Sequence, residues 1–94
     1  MSKKIKTPEV DELFEALLSL ETKEECYLFF EDLCTTNEIL TFAQRLTVAK
    51  LLKEKYTYQD IAEKSGASTA TISRVKRAID DGNGGYNLVL EKLK

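Results

Sequence analysis

The side chains of this chain that could do chemistry are cationic and hydroxylic, and they crowd into one stretch, Tyr58 to Ala78. Lys64, Arg74, Lys76 and Arg77 supply positive charge with no acid among the four, Gln59 and Ser73 supply an amide and a hydroxyl, and Ser68, Thr69 and Ala70 are small residues placed ahead of the arginines. Cations, hydroxyls and amides hold phosphates, and a short helix end lets methyl and hydroxyl groups reach base edges. Catalysis is poorly served by comparison. The chain has no histidine, and Cys26 and Cys34 stand eight apart without a CxxC, so neither a tetrahedral zinc site nor a Cys-His nucleophile can be assembled within it. The bland reading of the two cysteines is a pair of half-buried reduced thiols on a helix. Gly82-Asn-Gly-Gly85 follows a helical pattern, which is not the strand-to-helix context of a nucleotide loop. No enzymatic activity and no cofactor are expected.

Those residues need elements to hold them, and the spacing supplies two short helices with a tight turn between. Ile61 and Ala62 fall on one face of the first, Ile72 and Val75 on one face of the second, and Gly66 sits where a chain leaving a helix commonly needs positive φ. Thr57 with Asp60 three residues later resembles a capping box, and Ser68 can accept from the free N–H groups of the second helix. This is the pattern of a helix-turn-helix over about residues 58–79. Four more helices are predicted around it. Thr7-Pro8 opens one carrying Val10, Leu13, Phe14, Leu17 and Leu18 at helical spacing. Thr22 to Glu25 is a capping box ahead of Tyr27, Phe29, Phe30 and Leu33. A long third helix starts near Thr35 or Thr36 and ends before Tyr56, and a short last one carries Tyr86, Leu88, Val89, Leu90 and Leu93. The fold class is all-α.

Ninety-four residues with 43% hydrophobic content suit one compact domain that gains from a partner surface. No apolar run reaches signal-peptide or membrane-span length, so a cytoplasmic protein with no membrane association is expected. The net charge of −2 hides an asymmetry: residues 9–38 carry ten acids and one lysine, whereas residues 39–78 carry eight basic and three acidic side chains. Positive charge therefore coincides with the helix-turn-helix. Phe14, Leu17, Leu18, Phe29, Phe30 and Leu33 form more apolar surface than two short helices hide against each other, which points to a second chain as cover; burial against the long third helix is the alternative.

The element order, the long third helix and the segments Ala43 to Leu46, Val48 to Leu52, Ser68 to Val75 and Gly84 to Tyr86 together resemble the Trp repressor superfamily, and within it the YerC/YecD-type branch. The resemblance spans roughly residues 7–93 and implies an intertwined homodimer, with residues 7–55 and 84–94 as dimerisation core, residues 57–80 as DNA-reading head and residues 1–6 as a disordered lead. It also implies where an effector would sit. The family's best-known member holds tryptophan between two arginines; Arg74 matches the one on the recognition helix, but Gln44 falls at the other place, with Arg45 one position along, and Val75 stands where that member has glycine. An indole sandwiched by two guanidinium groups needs both in place. Arg74, Gln44 and Arg45 are therefore candidates for binding an effector of unspecified chemistry, and tryptophan is not expected.

With Ile72 pointing inward, an advance of about 100° per residue puts Ser73, Arg77, Ala70 and Arg74 on the outer side of the second helix. Thr69 and Ala70 can approach base edges, Ser73 specifies weakly, and Ser68, Gln59, Lys64, Lys76 and Arg77 are candidates for holding the phosphate backbone of double-stranded DNA. Bland alternatives stand beside these: Arg74 pairing with an acid, Lys76 solvated, Gln59 an ordinary surface residue near a cap. The expected function is a homodimeric transcriptional repressor on an inverted-repeat operator. A protein-interaction module that uses the same scaffold, with its acidic half on a basic partner, is the competing reading.

Overall fold

The structure is a computed structural model that describes residues 4–94. Among these, six helices and no strand are present: α1 (Pro8–Leu18), α2 (Lys23–Leu33), α3 (Thr36–Lys53), α4 (Tyr58–Ser65), α5 (Thr69–Asp81) and α6 (Gly85–Lys92). The chain separates into two compact units, residues 1–39 and 40–94. Of the expected disordered lead, residues 1–3 lie outside the described residues, and Lys6 donates to Asp11 at 2.8 Å.

In the first unit the helix starts follow from hydroxyl placement. The Thr7 side chain accepts from the Val10 N–H and Pro8 takes the first helical position, where its missing N–H costs nothing. Thr22 accepts from the Glu25 N–H at 3.1 Å, but the reciprocal carboxylate bond reaches the Glu21 N–H at 2.8 Å rather than that of Thr22, so the capping box closes one residue early. No residue of α1 or α2 is buried in the single chain: Leu18 is 85% exposed and Phe14 49%. Phe29 and Phe30 keep their rings edge to face with centroids 6.3 Å apart. Cys26, read as half-buried, is exposed on α2, because no residue of that helix is buried in the single chain; Cys34, partly buried, is the residue that ends α2, and both thiols are free.

The second unit holds the core. Val48 and Ala49 of α3, Ile61 of α4, Ala67 of the turn, and Ile72 and Val75 of α5 are buried, with Leu51, Leu52, Ala62, Ile79, Tyr86 and Leu90 packed around them. Each fully buried Ile or Val is worth roughly 1.5–3 kcal/mol against exposure, so this cluster is what fixes the two motif helices against α3. Two helix ends set the geometry of the motif. At the end of α3 the Tyr56 N–H donates to the Leu51 carbonyl and the Lys55 N–H to the Leu52 carbonyl, a Schellman arrangement that puts Lys55 at φ 70°. At the end of α4, Gly66 takes φ 74° and donates to the Ala62 carbonyl at 2.9 Å, as positive φ at that position requires.

Candidate nucleic-acid interface

The turn between α4 and α5 is built from hydroxyls as much as from glycine. Ser65 Oγ donates to the Ile61 carbonyl at 2.6 Å and accepts from the Ala67 N–H at 3.1 Å, so one side chain links the last turn of α4 to the residue that enters the core. Gln44 Nε2 donates to the Ser65 carbonyl at 3.3 Å and ties α3 to the same corner. Helix α4 starts on Thr57, whose side chain accepts from the Asp60 N–H, and α5 starts on Ser68, whose side chain accepts from the Thr71 N–H at 3.1 Å. Ser68 Oγ also donates to Thr71 Oγ1 at 3.2 Å. The Ser68 hydroxyl is thus committed to the helix start, and at the α5 N-terminus a phosphate would meet it as part of a capped turn rather than as a free donor.

On α5, Thr69, Ala70, Arg74, Lys76 and Arg77 are exposed, Ser73 and Thr71 are half-buried, and Ile72 and Val75 are inside with 0% and 1% exposure. The outer face therefore carries two arginines behind a small-residue tip, and among the described residues neither Arg74 nor Arg77 has an ion-pair partner. Gln59 and Lys64 are exposed on α4. Lys64 is held over the Tyr56 ring, with Nζ 5.0 Å from its centroid, a cation–π contact that orients the ammonium.

Lys76 has an acid partner beyond the motif stretch. Read as one of an acid-free set, it pairs with Asp80 one turn further along α5 at 2.5 Å, and this hydrogen bond, with the carboxylate charge adding to it, holds its ammonium above the usual lysine range. The i,i+4 relation is present in the sequence, but the acid lies just beyond the Tyr58 to Ala78 stretch that defines the motif.

Arg74 is exposed, Arg45 half-buried, and the Gln44 amide is engaged with the Ser65 carbonyl. Val75 fills core space. Sequence reading also missed a cleft of about 430 Å³ lined by Leu52, Lys53, Lys55, Tyr56, Tyr58, Lys76, Ile79 and Asp80. A lysine run split between a helix end and a loop carries no periodic signal, so only the fold reveals that Lys53 and Lys55 share a cleft with Lys76. Among the described residues no group of three or more His, Cys, Asp or Glu could hold a metal, and no helix is long and apolar enough to cross a membrane.

An all-α unit in which a short helix, a left-handed glycine turn and an amphipathic second helix pack on a long third one defines the helix-turn-helix class of DNA-binding domains. The profile of the Trp repressor protein family matches residues 8–94, and the chain belongs to that family, whose members are DNA-binding regulators rather than enzymes. It is 54% identical over 91 residues to YerC of Bacillus subtilis strain 168, an uncharacterised protein, covering 97% of this chain and 88% of that one. Among solved structures it is similar to a TrpR-like protein from Eubacterium eligens ATCC 27750, with 59% identity and a TM-score of 0.95 over 98% of this chain and 95% of that one. A protein from Staphylococcus aureus, described provisionally as a Trp repressor, matches with 55% identity and a TM-score of 0.94 over 97% and 91%.

Proposed function

We propose that the chain is a sequence-specific transcriptional regulator that binds duplex DNA as a homodimer, recognises an inverted repeat and acts as a repressor. The observation that carries this reading is the outer face of α5: Ala70, Arg74 and Arg77 exposed on a helix whose opposite face, Ile72 and Val75, is locked in the core. Thr69 and Ala70 lead into the major groove, and Arg77, Lys64 and Gln59 hold the backbone on either side. With few long polar side chains at the tip, specificity leans on water-mediated contacts and DNA shape.

The dimer is supported by exposed apolar residues in both units, Phe14, Leu18 and Leu33 in the first and Leu40 and Phe42 in the second, more apolar surface than a lone chain leaves facing water. Repression follows from occupancy, since a dimer parked on a promoter excludes polymerase. Tryptophan is not the corepressor: Val75 occupies core space and the Gln44 amide is spent on Ser65. Any effector bound at Arg74 and Arg45 has a different shape.

The test is the double variant Lys76→Ala with Arg77→Ala. Loss of duplex binding with the oligomeric state intact supports DNA recognition. Unchanged duplex binding would favour the interaction-module reading, for which the ten acids of residues 9–38 supply the surface.

A further inference from the structure

Resting on the DNA reading above, we propose that Lys53, Lys55 and Lys76, with Tyr58, form a clamp for one backbone phosphate group of duplex DNA, beside and separate from the outer face of α5. All four line the single cleft of about 430 Å³ that runs from the end of α3 past the start of α4 to the flank of α5, and its one acidic liner is Asp80. Three ammonium groups against one carboxylate leave the cleft cationic, in a protein whose overall charge is −2. The walls that are not charged are Leu52, Ile79 and the Tyr56 and Tyr58 rings, low-dielectric surfaces that strengthen each charge between them.

Two observations point to an anionic oxygen as the occupant. Asp80 already puts one there: its carboxylate sits 2.5 Å from Lys76 Nζ, in the position a phosphate oxygen would take from it. Lys55 is the second. It is the sole non-glycine residue with positive φ among the described residues, at φ 70°, in the helix-ending position that glycine fills without strain. A lysine there gives up backbone comfort at a position that lines the cleft, and neither it nor Lys53 has an ion-pair partner among the described residues. The cleft is bounded by the start of α4 and the flank of α5, the parts of a helix-turn-helix that meet the sugar–phosphate strand when the second helix enters the groove. The occupant is therefore a phosphodiester of the strand bordering that groove.

The experiment is a potassium chloride titration of binding to a labelled mixed-sequence duplex spanning two helical turns, for the full-length wild type, Lys55→Gly, Lys53→Ala with Lys55→Gly, and Lys92→Ala. Each phosphate charge that the protein no longer neutralises makes the slope of log K against log salt shallower by about 0.9, so losing the one clamped phosphate should make the double variant shallower by roughly 0.9 per bound chain and Lys55→Gly by part of that. Lys92→Ala, outside the cleft, should keep the wild-type slope. Glycine relaxes the Lys55 backbone, so Lys55→Gly folds and carries the test alone. A wild-type slope in Lys55→Gly and in the double variant would overturn the clamp and leave the DNA reading standing. Failure of the wild type to bind any duplex would overturn both.

Discussion

Lys76 and Lys55 mark the two ways a single residue departs from its sequence context. Lys76 is paired along α5 with Asp80, so in the proposed complex a phosphate would compete with a carboxylate for it. Asp80→Asn should therefore tighten duplex binding several-fold at low salt, and fluorescence anisotropy will show it; unchanged or weaker binding would mean that Lys76 does not reach phosphate. The pair itself is insensitive to pH across the neutral range. The ammonium is held above its ordinary value of 10.5, so its contribution is complete below 10.5 and is lost only as pH rises through the higher folded value. Lys55 holds its backbone left-handed at a cost of about 1 kcal/mol relative to glycine. Lys55→Gly should raise the urea-unfolding free energy by about that amount; a drop would mean that the side chain packs. The Lys76–Asp80 pair was readable as an i,i+4 spacing, whereas nothing in a Lys-Glu-Lys-Tyr run marks its second lysine as left-handed.

Helix boundaries were legible because a hydroxyl three residues ahead of a free N–H leaves a spacing in the chain. Thr7, Thr22, Thr57 and Ser68 each accept the bond their positions predict. Ser68→Ala should cost about 1 kcal/mol and fray the first turn of α5, measurable by hydrogen exchange at Thr71. At the start of α3, Thr35 and Glu38 close a full capping box, with the Thr35 N–H donating to Glu38 Oε1 at 2.8 Å and the Glu38 N–H to Thr35 Oγ1 at 3.1 Å. The Thr35 backbone N–H, with its side chain adding to the effect, holds the Glu38 carboxyl below its ordinary 4.5. That contribution is present above 4.5 and is lost as pH falls through the lower folded value, and in Glu38→Gln this part of the acid sensitivity of helicity should vanish. Turn architecture was less legible. Gly66 advertised itself, but the Ser65 hydroxyl that fastens Ile61 to Ala67, and the Gln44 amide reaching Ser65 from 21 residues away, depend on how α3 packs against α4. The same packing makes Ile72 critical: fully buried, it should cost about 2–5 kcal/mol as Ile72→Ala and take DNA binding with it.

Over the whole molecule, charge and apolar surface are sorted along the chain. Acids gather in residues 9–38 and bases in residues 39–78, so a near-neutral total still concentrates positive charge on the segment that holds the helix-turn-helix. The surplus of apolar side chains on the first two helices was legible as unpaired periodicity; which residues would stay uncovered was not, because periodicity marks a face and not what covers it. Leu18, at 85% exposed, is the sharpest probe of the proposed dimer: Leu18→Lys should shift it to monomer in sedimentation velocity and abolish the proposed cooperative operator binding. The central claim, that paired α5 helices read duplex DNA, is tested most directly by selecting bound duplexes from a random pool at low salt and footprinting the winners. An inverted repeat, its half-sites one helical turn or about 34 Å apart and both protected, is the predicted result. An unenriched pool, or a single asymmetric half-site protected by one chain, would contradict it.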